Sequence, residues 1–200
     1  MKEQKNTYAN ISEFSQKLLA GDEGFNVDFK RSAKGLTAED LVAFANSEQG
    51  GTLLLGVDEV KDEKGRQRGK VVGCEVSDGM KLLIMNRAIS CVPALQVHVI
   101  VENNDDVPFY RVEIPSGKNK PYCTSGGTYK IRENGRNKVL APDELLSMFI
   151  KSESSQFSQR FKKATLDIMG NDLGILKKDM TLLHQKINVL MRKLGVDEIE

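Results

Sequence analysis

GLTAEDLVAFANSEQGGTLLLGVDEV, residues 35–60, decides the fold. Thr37 stands at a helix N-cap position, and Asp40 three residues on completes a capping box. Ala38, Leu41, Val42, Phe44 and Ala45 supply the apolar side of the helix that follows. Gly50-Gly51 ends it and turns directly into Leu53, Leu54, Leu55 and Val57, an unbroken apolar run that reads as a central strand. A helix turned by two glycines into a buried strand is the nucleus of an α+β domain.

The flanking sequence extends this layer in both directions. Ile11, Phe14, Leu18 and Leu19 keep helical spacing, and VDFKRS alternates Val27 and Phe29 with Asp28 and Lys30, as a half-buried strand does. Downstream, residues 62–70 read as a hairpin-like excursion and VVGCEV (71–76) as a returning strand. A helix over 78–90 is expected to bury Met80, Leu83, Ile84, Ala88 and Ile89. Leu95, Val97, Val99 and Val101 alternate with Gln96, His98 and Ile100; VPFYRVEIP repeats the alternation after a turn at 103–106. A short strand over 128–132, a tight turn at Asn134-Gly135 and a helix opened by Pro142 complete the pattern. The fold class is a mixed sheet packed with helices rather than a regular βαβ wheel.

Four regions follow: an N-terminal helical segment (1–20), a compact domain (21–150), a linker or helix extension (151–171) and an oligomerisation helix (172–196). In the last, Leu173, Leu176, Met180, Leu183, Ile187, Leu190 and Leu194 are spaced alternately by three and four, an a/d seam. Gly174 weakens helix continuation by about 1 kcal/mol relative to alanine, so the secure portion is 176–194. The narrow seam among polar residues predicts self-association, in preference to a helix docked back on its own sheet.

Lys and Arg total 29 against 28 Asp and Glu, so net charge alone says nothing about nucleic acid. No apolar run reaches the roughly 18 residues of a membrane span, and the first residues lack a cleavable signal pattern. Cys74, Cys91 and Cys123 form no C-x-x-C pair and read as small core residues, which argues against a disulfide framework or a zinc cluster. A cytoplasmic protein with no membrane partner is expected. His98 and His184 have no spaced ligand partner and read as structural or exposed.

Charge is concentrated locally. Lys118, Lys120, Lys130, Arg132, Arg136 and Lys138 face only Glu133 within one stretch, and Tyr122 and Tyr129 lie among them. Cations for phosphate and aromatic rings for exposed bases are the ingredients of a DNA or RNA surface. Without an identifiable base-reading helix, low sequence specificity is expected. Gly50-Gly51 serves either a turn or a close approach to phosphate, and Asn46 either ties down that turn or reaches a ligand.

The ordered set Asp28-Phe29-Lys30, Ala43, Asn46, Gly50-Gly51, Gly56-Val57-Asp58, Tyr129, Arg132 and Leu145 resembles the Schlafen AlbA-type domain, over residues 23–149. The resemblance implies a module that handles nucleic acid, needing no cofactor for binding. Some members are metal-dependent ribonucleases, and Glu23, Asp28 and Asp58 match the positions of their carboxylates, with Lys30 as an added positive charge. On that alternative the cofactor is Mg²⁺ or Mn²⁺, which activates water and offsets charge on phosphate. Asp28 stands where the family commonly has glutamate, one methylene longer. No G-x-x-x-x-G-K-[ST] is present, which argues against nucleotide hydrolysis. A non-catalytic structural adaptor is the remaining reading.

Overall fold

The computed structural model describes residues 8–21, 26–63 and 65–194, apart from the side chains at 155, 156, 160, 161, 164, 168, 190, 191, 193 and 194. It divides into two units, Met1–Ser152 and Glu153–Glu200. In chain order the elements are β1 (Ala9–Asn10), α1 (Glu13–Ala20), β2 (Val27–Lys30), α2 (Ala38–Asn46), β3 (Gly51–Leu55), β4 (Val57–Lys61) and β5 (Gln67–Val71). Then come α3 (Asp78–Ile89), β6 (His98–Asn104), β7 (Val107–Ile114), β8 (Lys130–Glu133), β9 (Arg136–Val139) and α4 (Pro142–Leu194).

One mixed sheet runs in the order β1-β6-β7-β3-β2; β4-β5 and β8-β9 are separate antiparallel hairpins. β3 lies between β2, parallel to it, and β7, antiparallel, and both its faces are covered, which is why its apolar run has no polar alternation. Leu53 and Leu55 pack with Leu41, Phe44, Ile84 and Val112, while Leu54 joins Val27, Phe29 and Phe109 in a second cluster. The sheet thus has a core on both faces.

The capping box at the start of α2 is formed: Thr37 accepts from the Asp40 amide, and Asp40 Oδ2 accepts from the Thr37 amide at 2.8 Å. α1 is capped by Ser12, whose hydroxyl also donates to buried Glu102 at 2.9 Å. Glu102 in turn pairs with Arg111 at 3.0 Å, so a charged cluster docks the N-terminal helix on β6 and β7.

Four expectations change. β1, only two residues long, pairs parallel with β6 and carries no periodic signal. Of VVGCEV only Val71 stays in a strand; the Val72 and Gly73 amides both donate to Gly56 O at 2.9 Å, and Cys74 N donates to Pro108 O. The chain leaves β5 there to cross the sheet end. Ile89 is exposed, because α3 buries the face carrying Ile84 and Ala88 and Ile89, one position on, turns to solvent. β2 is buried on both faces, since α2 and the β8-β9 hairpin cover the side carrying Asp28.

Candidate nucleic-acid interface

Because Val27 and Phe29 belong to the second core cluster, Asp28 and Lys30 share the opposite face of β2. Asp28 Oδ1 accepts from Arg132 Nη2 at 3.3 Å. Its Oδ2 lies 2.6 Å from Lys30 Nζ, a close ion pair without hydrogen-bond alignment. Arg132 also donates to Val27 O (3.0 Å) and Asn137 Oδ1 (3.1 Å), with its guanidinium 5.1 Å from the centre of the Phe44 ring. Asn137 donates to Asp40 Oδ1 at 2.8 Å, and that same oxygen is 3.8 Å from Lys30 Nζ. The result is a closed ring, Asp28–Arg132–Asn137–Asp40–Lys30, joining β2, α2 and the hairpin.

Asn46 ties the next stretch to α2. Its Nδ2 donates to Tyr122 O and Lys130 O, both at 2.8 Å, and its Oδ1 accepts from Tyr122 N at 2.7 Å. Three backbone groups in a buried place are satisfied by one amide, so its role is structural. Gly50 has φ +73°, and a Cβ there would meet Ile114 O at 2.3 Å; one on Gly51 would overlap the Phe44 ring at 2.2 Å. Both glycines are demanded by packing alone.

The expected cationic patch is sorted by burial. Arg132 is 6% exposed, so its guanidinium anchors the hairpin and is not presented to phosphate. Tyr122 is also 6% exposed, its hydroxyl accepting from the Asn119 amide, so its ring is not offered to a base. Tyr129 is half-buried and meets Phe149 edge-on, with centroids 6.5 Å apart. Lys130 pairs with Glu39. Lys120 donates to Ser47 O at 2.5 Å, and burial pushes its pKa down. Lys138 is exposed and bridges Glu144 (2.7 Å) and Glu133 (3.4 Å). Lys118 and Arg136 are exposed. A cleft of about 480 Å³ beside the hairpin is lined by Lys118, Lys120 and Lys151 together with Glu48, Glu133 and Glu144.

Of the carboxylates expected to hold a metal, Asp28 and Asp58 are engaged by cations. Glu23 lies outside the described residues. Asp28 has both oxygens facing cations, and Asp58, on β4, accepts from Arg31. Among the described residues no three His, Cys, Asp or Glu side chains are grouped to hold a metal ion. A divalent cation needs free carboxylate oxygens, and Arg132 and Lys30 would oppose it at Asp28, so these two residues do not fit one as they stand. His98 and His184 are exposed. The three cysteines are free thiols, and burial pushes Cys91 up to about 11.

Asn137 and the second bond of Asp40 escaped the sequence reading, since neither position differs in type from an ordinary turn or cap residue. The family model described as Schlafen, AlbA_2 matches residues 23–141, more than half of the chain. The chain belongs to the Schlafen AlbA_2 family. The Schlafen AlbA_2 domain therefore comprises the sheet except β1, together with the ring and both hairpins, and α4 starts just beyond its end. Two solved structures are similar to part of the chain. The DIP2311 protein from Corynebacterium diphtheriae aligns at 16% identity and TM-score 0.43, over 63% of this chain and 25% of that one. The N-terminal domain of an ATP-dependent DNA helicase RecG-related protein from Nitrosomonas europaea aligns at 24% identity and TM-score 0.49, over 64% and 87%. The chain thus spans about a quarter of the corynebacterial protein. No curated protein matches it. Among the described residues no helix is long and apolar enough to cross a membrane.

Proposed function

We propose that this Schlafen AlbA_2 domain binds DNA or RNA without cutting it, by phosphate contact with low sequence specificity. The observation that carries this reading is the anchored hairpin. Arg132 ties β8 to β2 and α2, so that exposed Arg136 and Lys138 project from a fixed backbone, and Lys118 is exposed as well. An AlbA-like domain suggests a nucleic-acid partner, and cations held in place lose less entropy on meeting phosphate than free ones. The absence of a cutting step is supported by Asp28, whose carboxylate serves the ring. Self-association through the C-terminal helix belongs to the same reading, supported by the exposed seam Leu173, Leu176, Met180, Leu183 and Ile187. Leu190 and Leu194 continue the spacing, their side chains lying outside those described.

The test is an electrophoretic panel of DNA and RNA ligands at several salt concentrations, with and without Mg²⁺. K118E/R136E is expected to weaken every ligand alike and to lower the salt slope by about 2, with thermal stability unchanged. Unaltered affinity and slope would remove this surface. Mg²⁺-dependent cleavage that disappears in D58A would replace binding by catalysis.

A further inference from the structure

The helix α4 is continuous through Gly170 and Gly174, so the a/d seam extends one heptad upstream, to exposed Leu166 and Met169. Its flanking charges are segregated. With Leu173 at a, the g positions carry Asp172 and Asp179 in the first half of the seam and Lys186 in the second. On the wheel, g lies between d and c, about 60° from one and 40° from the other. The c positions bordering it are Ile175, Leu182 and Val189, all exposed. A partner facing g therefore covers a second apolar row beyond the a/d seam.

From this pattern we infer that the helix pairs antiparallel with a second copy of itself. The inference rests on the self-association reading above and gives it an orientation and a register. In antiparallel helices, g residues face g residues. Setting Leu176 against Ile187 and Met180 against Leu183 of the second copy places Asp179 against Lys186 twice, by the two-fold symmetry. Sliding by one heptad sets Asp179 against Asp179 and Lys177 against Lys177, so charge selects between the two registers in which the seam is filled. In a parallel pair g faces the e residue five positions on, so Asp172 would meet Lys177, whereas Asp179 would meet His184 and Lys186 the uncharged Met191; contact between Asp179 and Lys186 belongs to the antiparallel pair alone.

That difference defines the experiment on the full chain. K186D turns both antiparallel contacts into Asp against Asp and is expected to raise the dissociation constant for self-association about tenfold; a parallel pair would be unaffected. D179K is expected to do the same in the antiparallel pair, Lys meeting Lys. Mixing K186D with D179K is expected to restore association, since each variant then supplies the sign the other lacks. Masses come from sedimentation and helix content from circular dichroism, and recovery in the mixture separates lost pairing from lost helix. Wild type sedimenting as a monomer would end the self-association reading itself. Wild type associated, with K186D equally associated, would leave that reading standing and overturn the antiparallel orientation.

Discussion

Arg132 shows how far a charge in a sequence is from a charge on a surface. Its partner Asp28 lies 104 residues away, so nothing local distinguishes it from Arg136, four positions on, which is exposed. The distinction is made by the strand. Arg132 faces the sheet, where Asp28, Asn137 and the Phe44 ring surround it, and its loss would leave Asp28 buried beside Lys30 alone. R132A is therefore expected to destabilise the domain by about 3–5 kcal/mol, the range for breaking one side of a buried ion pair. D28N/R132A should lose less than the sum of the two single changes, because a neutral amide needs no counter-charge. Urea unfolding of the three variants measures this; additive losses would mean that Asp28 and Arg132 act independently. The same burial explains Tyr122 and Asn46: composition marks them as possible ligand contacts, and only the pairing of backbone groups far apart in sequence assigns them to the fold.

At the level of elements, legibility follows range. The capping box of α2, the glycine turn and the apolar run of β3 are local patterns, and they form as read. β1 and the chain after β5 are held by bonds from distant backbone, and no periodicity announces them. The start of α4 combines both kinds. Pro142 opens it, Glu144 Oε2 accepts from the Ala141 amide at 2.9 Å, and Glu144 Oε1 accepts from Lys138 at 2.7 Å, joining helix to hairpin. These bonds, Lys138 first, hold the Glu144 pKa below its ordinary value, while Lys138 is raised chiefly by its bond to Glu144. The sign follows by linkage. The glutamate's contribution is full above the ordinary carboxyl range and lost as pH falls through the depressed value; the lysine's is full below the ordinary lysine range and lost as pH rises through the raised one. E144Q is thus expected to melt below wild type at neutral pH, with the gap closing on acidification. Melting temperatures from pH 7 to pH 3 check this, and a gap that stays constant with pH would remove the ion pair from the junction.

At the scale of the whole molecule the C-terminal helix was legible because its apolar residues repeat, and the structure carries Leu173, Leu176, Met180, Leu183 and Ile187 exposed along one continuous helix. Its consequence for binding follows from the proposed antiparallel register. Residue 153 of one copy and residue 153 of the other then stand about 85 Å apart along the bundle, at a rise of about 1.5 Å per residue. With about 3.4 Å per base pair, a duplex must exceed about 25 base pairs before it is as long as that separation. A second domain brought to the same ligand binds at a high effective concentration, and a ligand too short to meet both domains loses that gain. L176D/L183D, which places charge in the seam, is therefore expected to be monomeric. It should bind a duplex of about 12 base pairs as wild type does and one of about 60 base pairs at least tenfold more weakly. A parallel pair starts both helices at the same end, and the advantage over the monomeric variant would then already be present on short duplexes. The length at which wild type and variant diverge thus reads the geometry of the assembly from binding curves alone.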